Sequence, residues 1–345
     1  MGQVSLLSNK ISWFGKHSGY ECIDQFFPDA IRSKVFYTNK NTLLTKLKGR
    51  LYQYFYKKRG VKASNLAIGV EFLNTVKTAD SIGHILYSES QLHLLEIASD
   101  KVLNNLVGTI HLPIKQWDKN KLSKLAQLKN AIILYESEIS EFQKYLNNTN
   151  IKFIRHGINN SFFKPGTEPR NKTTLLCVGH YLRNFEMLER VINFLEAKKY
   201  ELNYQLVIPA MFRNTEVLIR LAKKSNITFY EKLTDEELLA LYQECGMTVI
   251  PMNDSGANTA IIQAIACGTP VVTTNVGGIR SYGGGDIFPL VDNNDDLGMA
   301  ELIIKYVDDD IYASEMSNAL RKFSLDHLDW YDIARQHANF YNSLK

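Results

Sequence analysis

The sequence predicts an α/β protein built from two doubly wound domains. Three observations carry this. Short apolar runs alternate with longer amphipathic stretches in both halves, the pattern of buried parallel strands joined by crossover helices. The 345 residues are long for one domain and comfortable for two. Between the halves lies HGINNSFFKPGTEPRNK (156–172), the longest stretch rich in Asn, Gly and Pro, which reads as the joint.

In order along the first half, KVFYT near 34, SIGHILY near 81, LVGTIHL near 106, NAIILYE near 130 and IKFIRHG near 151 read as buried strands. The second half repeats the pattern with TTLLCVG near 173, NYQLVIP near 203, NITFYE near 226, MTVIPM near 247, PVVTTN near 270 and DIFPLV near 286. FEMLERVINFLEAKK, NTEVLIRLAKK and DEELLALYQEC read as helices, the last capped by Thr234 or Asp235. The final 35 residues, from IYASEM onward, read as two helices with no strand after them.

Composition narrows the functional classes. The net charge of +4 does not fit a dedicated nucleic-acid binder. Cys22, Cys177, Cys245 and Cys267 are scattered without CxxC spacing, which fits free thiols in a reducing cytosol. The opening MGQVSLLSNKISWFG lacks the apolar core of a signal peptide, and Leu6 stands where the myristoylation pattern needs Ser or Thr. No uncharged apolar run approaches the ~20 residues of a membrane span. A cytoplasmic location is the expectation.

The chemistry concentrates in DSGANTAIIQAIACGTPVVTTNVGGIR (254–280). Ligands of open α/β sheets bind where strands end and helices begin. At such a place Gly256 lets backbone approach a ligand, and the free N–H groups of the next helical turn face outward with the positive end of the helix dipole behind them. Ser255, Asn258 and Thr259 add short donors, giving a diphosphate seat without lysine. The alternative is that Asp254 or Ser255 simply caps a core helix. A second turn with Gly277 and Gly278 follows one βα unit later, and two such turns suggest one crevice. Gln263 is a lone amide among Ile261, Ile262, Ala264 and Ile265, which is expensive without a partner.

These residues resemble the nucleotide-sugar signature of GT-B glycosyltransferases, especially glycosyltransferase family 4. AIACGTPVV and VGG match it closely. TLLCVGHYLRNF resembles the family's entry to its second domain, and ITFYEKLTDEELL its base-binding loop. FIRHGINNSFFKP resembles the interdomain segment, GTIHLP the strand ending in the active-site His, and KHSGY the first Gly-rich loop. The resemblance implies two Rossmann-like domains facing across a cleft. The first, residues 1–157, is the acceptor side and receives a returning helix at about 328–345. The second, residues 158–327, binds the donor.

The implied donor is a UDP- or GDP-type nucleotide sugar, with no cofactor and no metal. The implied donor contacts are Gly19, Gly179, His180, Tyr230, Lys232, Ser255, Gly256, Ala257, Asn258, Thr259 and Gln263. The implied catalytic set is His111, His17 and Arg183. Ser255 and Gln263 stand where the family has its Glu pair. Gln263 is expected to meet the ribose hydroxyls without charge. His180 stands where Arg is usual, so Arg183 is the nearest cation for the departing diphosphate. His111 follows VGTI and is expected at a strand end near the reacting carbon. His84 ends another strand-like run. The implied activity is sugar transfer to an acceptor hydroxyl on a glycan or lipid-linked glycan, with retention at the anomeric carbon. The rival is a non-catalytic GT-B protein that binds a nucleotide sugar or a partner.

One segment asks for a different explanation. TKLKGRLYQYFYKKRGVK (45–62) carries seven cations and no acid, interleaved with Leu, Tyr and Phe. It suits an anionic bilayer surface on the inner face of the plasma membrane. It equally suits a surface helix packing its apolar side on the sheet. Single-stranded nucleic acid also fits basic and aromatic residues, but the modest net charge disfavours it.

Overall fold

The structure is a computed structural model that describes residues 3–9, 15–38, 41–78 and 80–344. The Met1-Gly2 start and residues 10–14 of the opening run lie outside these. The chain forms two compact units. The first comprises the described residues before Gly15, then Gly19–His156, then Trp330 onward. The second comprises Gly15–Ser18 and Gly157–Asp329.

The first unit is built on six strands: β1 (Gln3–Ser8), β2 (Arg32–Tyr37), β3 (Ile82–Ile85), β4 (Leu106–Ile110), β5 (Asn130–Ile133) and β6 (Asn150–Phe153). They form one parallel sheet in the order β2-β1-β3-β4-β5-β6. β1 was not expected from the sequence. Its run is interrupted by Ser5 and Ser8, yet both are buried. Ser5 accepts a hydrogen bond from the Thr75 hydroxyl at 2.7 Å, which makes a polar residue tolerable there.

The second unit has β7 (Asn171–Val178), β8 (Asn203–Val207), β9 (Ile227–Tyr230), β10 (Cys245–Ile250) and β11 (Val271–Thr273), parallel in the order β11-β10-β7-β8-β9. The strand expected at DIFPLV is absent. Pro289 removes a ladder donor, and Thr274–Val291 and Gly284–Phe288 make only isolated bridges. The helix Asp235–Glu244 starts at Thr234, whose side chain accepts the Glu237 N–H while Glu237 returns a bond to the Thr234 N–H. The Arg170 guanidinium donates to the carbonyls of Tyr242, Gln243, Cys245 and Cys267, tying the ends of the helices Asp235–Glu244 and Thr259–Ala266 together. All four cysteines are free and buried, and burial pushes the Cys177 thiol up to about 11.

Candidate functional site

Strand order fixes where the second unit can bind a ligand. The order reverses between β7 and β10, and the loops after these two strands open the crevice of such a sheet. The turn after β7 holds Gly179, His180 and Arg183. The turn after β10 holds Asp254 to Thr259. They are laced together: the Asn184 N–H donates to the Pro251 carbonyl at 2.8 Å, and the Asn253 N–H to the Leu182 carbonyl at 2.9 Å. The turn after β11 joins them through the Gly278 N–H, which donates to the Ser255 carbonyl at 2.7 Å. Gly277, at φ +50°, leaves no room for a side chain, because a Cβ there would lie 2.0 Å from the Ser255 oxygen. The two glycine-bearing turns are one structure.

Arg183 lies at the centre of this seat. Its guanidinium donates to the Val178 carbonyl at 2.6 Å and the Tyr181 carbonyl at 3.1 Å, and Nη2 stands 3.4 Å from Asn258 Oδ1. Gly179 adopts φ +89°, and its missing side chain makes space for that guanidinium. Among the described residues no carboxylate pairs with it, and burial lowers its pKa from the ordinary arginine value. A half-buried cation held by neutral oxygens and the Met252 sulfur, with no carboxylate, is suited to meet an anion. Asn258 also caps the helix Thr259–Ala266, accepting from the Ile261 N–H. The bare N–H groups of that helix start therefore face the same place as Arg183.

The neighbouring expected residues fall as follows. Ser255 and Gly256 are buried, while Ala257 and Thr259 are half-buried. The Ser255 hydroxyl donates to the Gly256 carbonyl at 2.9 Å. His180 stacks on Phe212 with centroids 3.6 Å apart, and burial followed by the Arg183 charge lowers its pKa. The Tyr230 carbonyl receives Arg213 at 2.8 Å, and Lys232 is exposed with φ +55°. Asp254 was read only as a cap. Its Oδ1 accepts the Ser255 N–H at 2.8 Å, but its buried Oδ2 has no partner among the described residues. It puts a carboxylate one position before the Ser255 that replaces the family's first Glu.

One partner of Gln263 comes from 245 positions away, the other from 21. Its Nε2 donates to Ser18 Oγ at 3.1 Å, and its Oε1 accepts from the Tyr242 hydroxyl at 3.1 Å. Ser18 in turn donates to Asp235 Oδ1 at 3.0 Å. The expected ribose is thus not needed to satisfy the amide; a ribose contact would use its remaining lone pair and N–H. His17 belongs to this second unit, not to the first as expected. Its backbone N–H donates to Asp235 Oδ2 at 3.0 Å, and its ring stacks on Phe162 at 4.1 Å. Gln263→Ala is expected to cost about 1–2 kcal/mol of stability without ligand, by stranding its partners, and to weaken UDP binding by a similar amount. Urea titration and calorimetry measure the two separately; UDP affinity equal to wild type would make the amide a packing element only.

Residues 172–309, which hold this seat, match the family described as glycosyl transferases group 1. Glycogen synthase of Mycobacterium tuberculosis is 29% identical over 118 residues, 34% of this chain and 28% of the relative. D-inositol 3-phosphate glycosyltransferase of Corynebacterium diphtheriae is 23% identical over 196 residues, 50% of this chain and 46% of the relative. The chain thus spans less than half the length of these curated relatives. The structure of Anabaena HepE in complex with UDP-glucose covers 99% of this chain and 100% of that one, with a TM-score of 0.73 at 15% identity. That likeness shows the fold, which is GT-B.

The first unit holds His111, directly after β4. Its Nε2 lies 2.7 Å from the Leu86 carbonyl, so Nε2 carries the proton and Nδ1 presents a lone pair. Tyr87 stacks on the ring at 4.5 Å and Tyr20 meets it edge-on at 5.0 Å. Burial, with the His156 ring adding to it, lowers its pKa to about 3. Gly19 opens the short helix Tyr20–Gln25. His84 is a core residue: it lies inside β3, fully buried, with the Tyr341 hydroxyl at 2.6 Å from Nδ1 and the Thr109 hydroxyl at 2.6 Å from Nε2. No group of three His, Cys, Asp or Glu side chains among the described residues has the arrangement of a metal site.

Proposed function

We propose that the chain transfers a hexose from a UDP- or GDP-type nucleotide sugar to an acceptor hydroxyl, as a family 4 enzyme. The single observation that carries this is the Arg183 guanidinium, half-buried and without a carboxylate partner at the switch point and beside the start of the helix Thr259–Ala266. A diphosphate there gains a cation and a helix dipole, and as it departs both stabilise its growing charge. In this reading Gln263 meets the ribose, Tyr230 and Lys232 border the base, and His111 borders the reacting carbon. Neither metal nor cofactor is required, and the anomeric carbon keeps its configuration. The acceptor is a glycan or lipid-linked glycan at the inner face of the plasma membrane, in polysaccharide or glycolipid synthesis.

Thermal shift with UDP, GDP and their sugars tests the seat, because a ligand of the folded state raises the melting temperature. Arg183→Met is expected to lose about tenfold or more in nucleotide affinity while melting within a few degrees of wild type. That loss equals about 1.4 kcal/mol or more, the scale of a charge-assisted hydrogen bond. Unchanged affinity in the variant would move the phosphates elsewhere. A second reading is favoured by Ser255 and Gln263, which leave the signature without its Glu pair. In it the protein binds a nucleotide sugar or a protein partner without turnover. Nucleotide-sugar binding with neither hydrolysis nor transfer would select it.

A further inference from the structure

The helix Leu43–Phe55 of the first unit carries its apolar side outward. At about 100° per residue, Thr45, Gly49, Tyr52 and Gln53 share one face. That face packs on the helix Ala63–Thr75: Gly49 is buried, and Gln53 donates to the Val61 carbonyl at 2.6 Å. Leu43, Leu44, Leu47, Leu51, Tyr54 and Phe55 fall on the opposite side, in one stripe about 120° wide. Their exposures run from 55% to 75%. A stripe of that width ordinarily faces a core. Six adjoining large apolar side chains left in water require a cover.

Charge identifies the cover. Lys48 borders the stripe on one side, and Lys46 and Arg50 border it on the other. Lys57, Arg59 and Lys62 follow its end. Among the described residues none of these six is in an ion pair; Lys58 is, with Glu96 at 2.8 Å. No Asp or Glu occurs from residue 30 to residue 70. No helix among the described residues is long and apolar enough to cross a membrane. We propose that this helix lies in the surface of a bilayer containing anionic lipid, its Leu–Phe stripe sunk to the headgroup–acyl boundary and its cations on the phosphates. The two parts act at different ranges. Cations draw the protein in over the Debye length of about 10 Å at 0.1 M salt; the stripe then holds it by burial, which salt does not screen.

The proposal stands apart from sugar transfer, so the test needs no activity. Full-length protein is sedimented with vesicles of phosphatidylglycerol and phosphatidylcholine, or of phosphatidylcholine alone. Wild type is expected to pellet with the mixed vesicles at 0.1 M salt and to remain measurably bound at 0.5 M. Leu47→Gln/Leu51→Gln/Phe55→Gln, at exposed positions, is expected to bind at least tenfold more weakly at both salts with an unchanged melting temperature. Lys46→Glu/Lys48→Glu/Arg50→Glu is expected to bind the mixed vesicles no better than the neutral ones. Pelleting that the Gln variant leaves intact, or no wild-type pelleting at all, overturns the proposal. So does a wild-type dimer, seen by light scattering, that the Gln variant abolishes while vesicles bind neither protein.

Discussion

His111→Ala is expected to transfer sugar on the order of a hundredfold more slowly than wild type while binding UDP equally well. The ring is neutral throughout the working range, because its pKa lies at about 3. In the proposed reading it therefore supplies no charge to the reacting carbon. Its Nε2–H is spent on the Leu86 carbonyl, and the Nδ1 lone pair is the group left to receive a hydroxyl proton. A positioned hydrogen-bonding group of this kind contributes about 10²-fold or more when it acts in the transition state. Two companion results separate the role from packing against Tyr87 and Tyr20. His111→Gln keeps a donor for Leu86 and should fold even where Ala does not, with kcat still low and KM little changed. The pH profile of wild-type kcat should show no inflection from this residue between pH 5 and 8. Normal turnover in a folded Gln or Ala variant would remove His111 from the reaction.

Acid should unfold the first unit steeply below pH 6.5. Its core carries His84 and His337, with the half-buried His111 and His93 beside it. Burial lowers all four, His337 and His93 to about 4. The folded state keeps them neutral, whereas the unfolded chain takes up protons below about pH 6.5. The stability they contribute is therefore present above pH 6.5 and lost as pH falls toward 4. Glu89, raised by burial to about 7, acts in the opposite sense from pH 7 to 4.5 and offsets about one of these protons, and Glu21, also raised by burial, acts in the same sense as Glu89. About two to three protons remain, or about 3–4 kcal/mol per pH unit. Across two pH units that approaches the whole stability of a typical domain, about 5–15 kcal/mol. Urea titrations at pH 7, 6 and 5 measure it, and His84→Gln should flatten the slope by about one proton. Equal stability at pH 7 and pH 5 would show that these histidines stay neutral in both states.

The alternation of strands and helices was legible because buried parallel strands are almost wholly apolar, as LVGTI and NAII are; KVFYT lies instead on the edge strand β2, where Lys34 and Tyr37 are exposed. β1 was not, because Ser5 and Ser8 break its run and their burial depends on neighbours distant in sequence. DIFPLV misled for the converse reason: it is apolar and buried at Phe288 and Val291, but Pro289 denies it a ladder. The glycine-bearing turns and Arg183 could be read locally, since glycine, short polar residues and a lone cation carry their chemistry wherever they are placed. Partners could not. A buried amide at 263 announces that it needs a partner, but nothing in AIIQAIA names Ser18. Position near a strand end did not distinguish His84 from His111; the Tyr341 and Thr109 hydroxyls, one of them 257 positions away, make the first a core residue. Exposure of the Leu43–Phe55 stripe was equally invisible, because an apolar helical face reads the same whether it turns inward or outward.

The Gly15–Ser18 loop has a consequence for biosynthesis. Its anchors on the second unit, Asp235 and Gln263, are made 217 to 245 residues after it. At about 5–20 residues per second, the ribosome needs roughly 12–50 s to supply the last of them. Throughout that interval a nascent chain holds the loop undocked, and the Asp235 carboxylate has no Ser18 until the segments meet. The first sheet waits longer still, because Tyr20 and His84 find His337 and Tyr341 only when the helix Trp330–Ser343 has emerged. Neither unit can finish folding in the order in which it is synthesised. The second unit can close once its last residues up to Asp329 are made, the first only after the helix Trp330–Ser343, so a chain arrested just short of residue 330 should remain open to protease in its first unit.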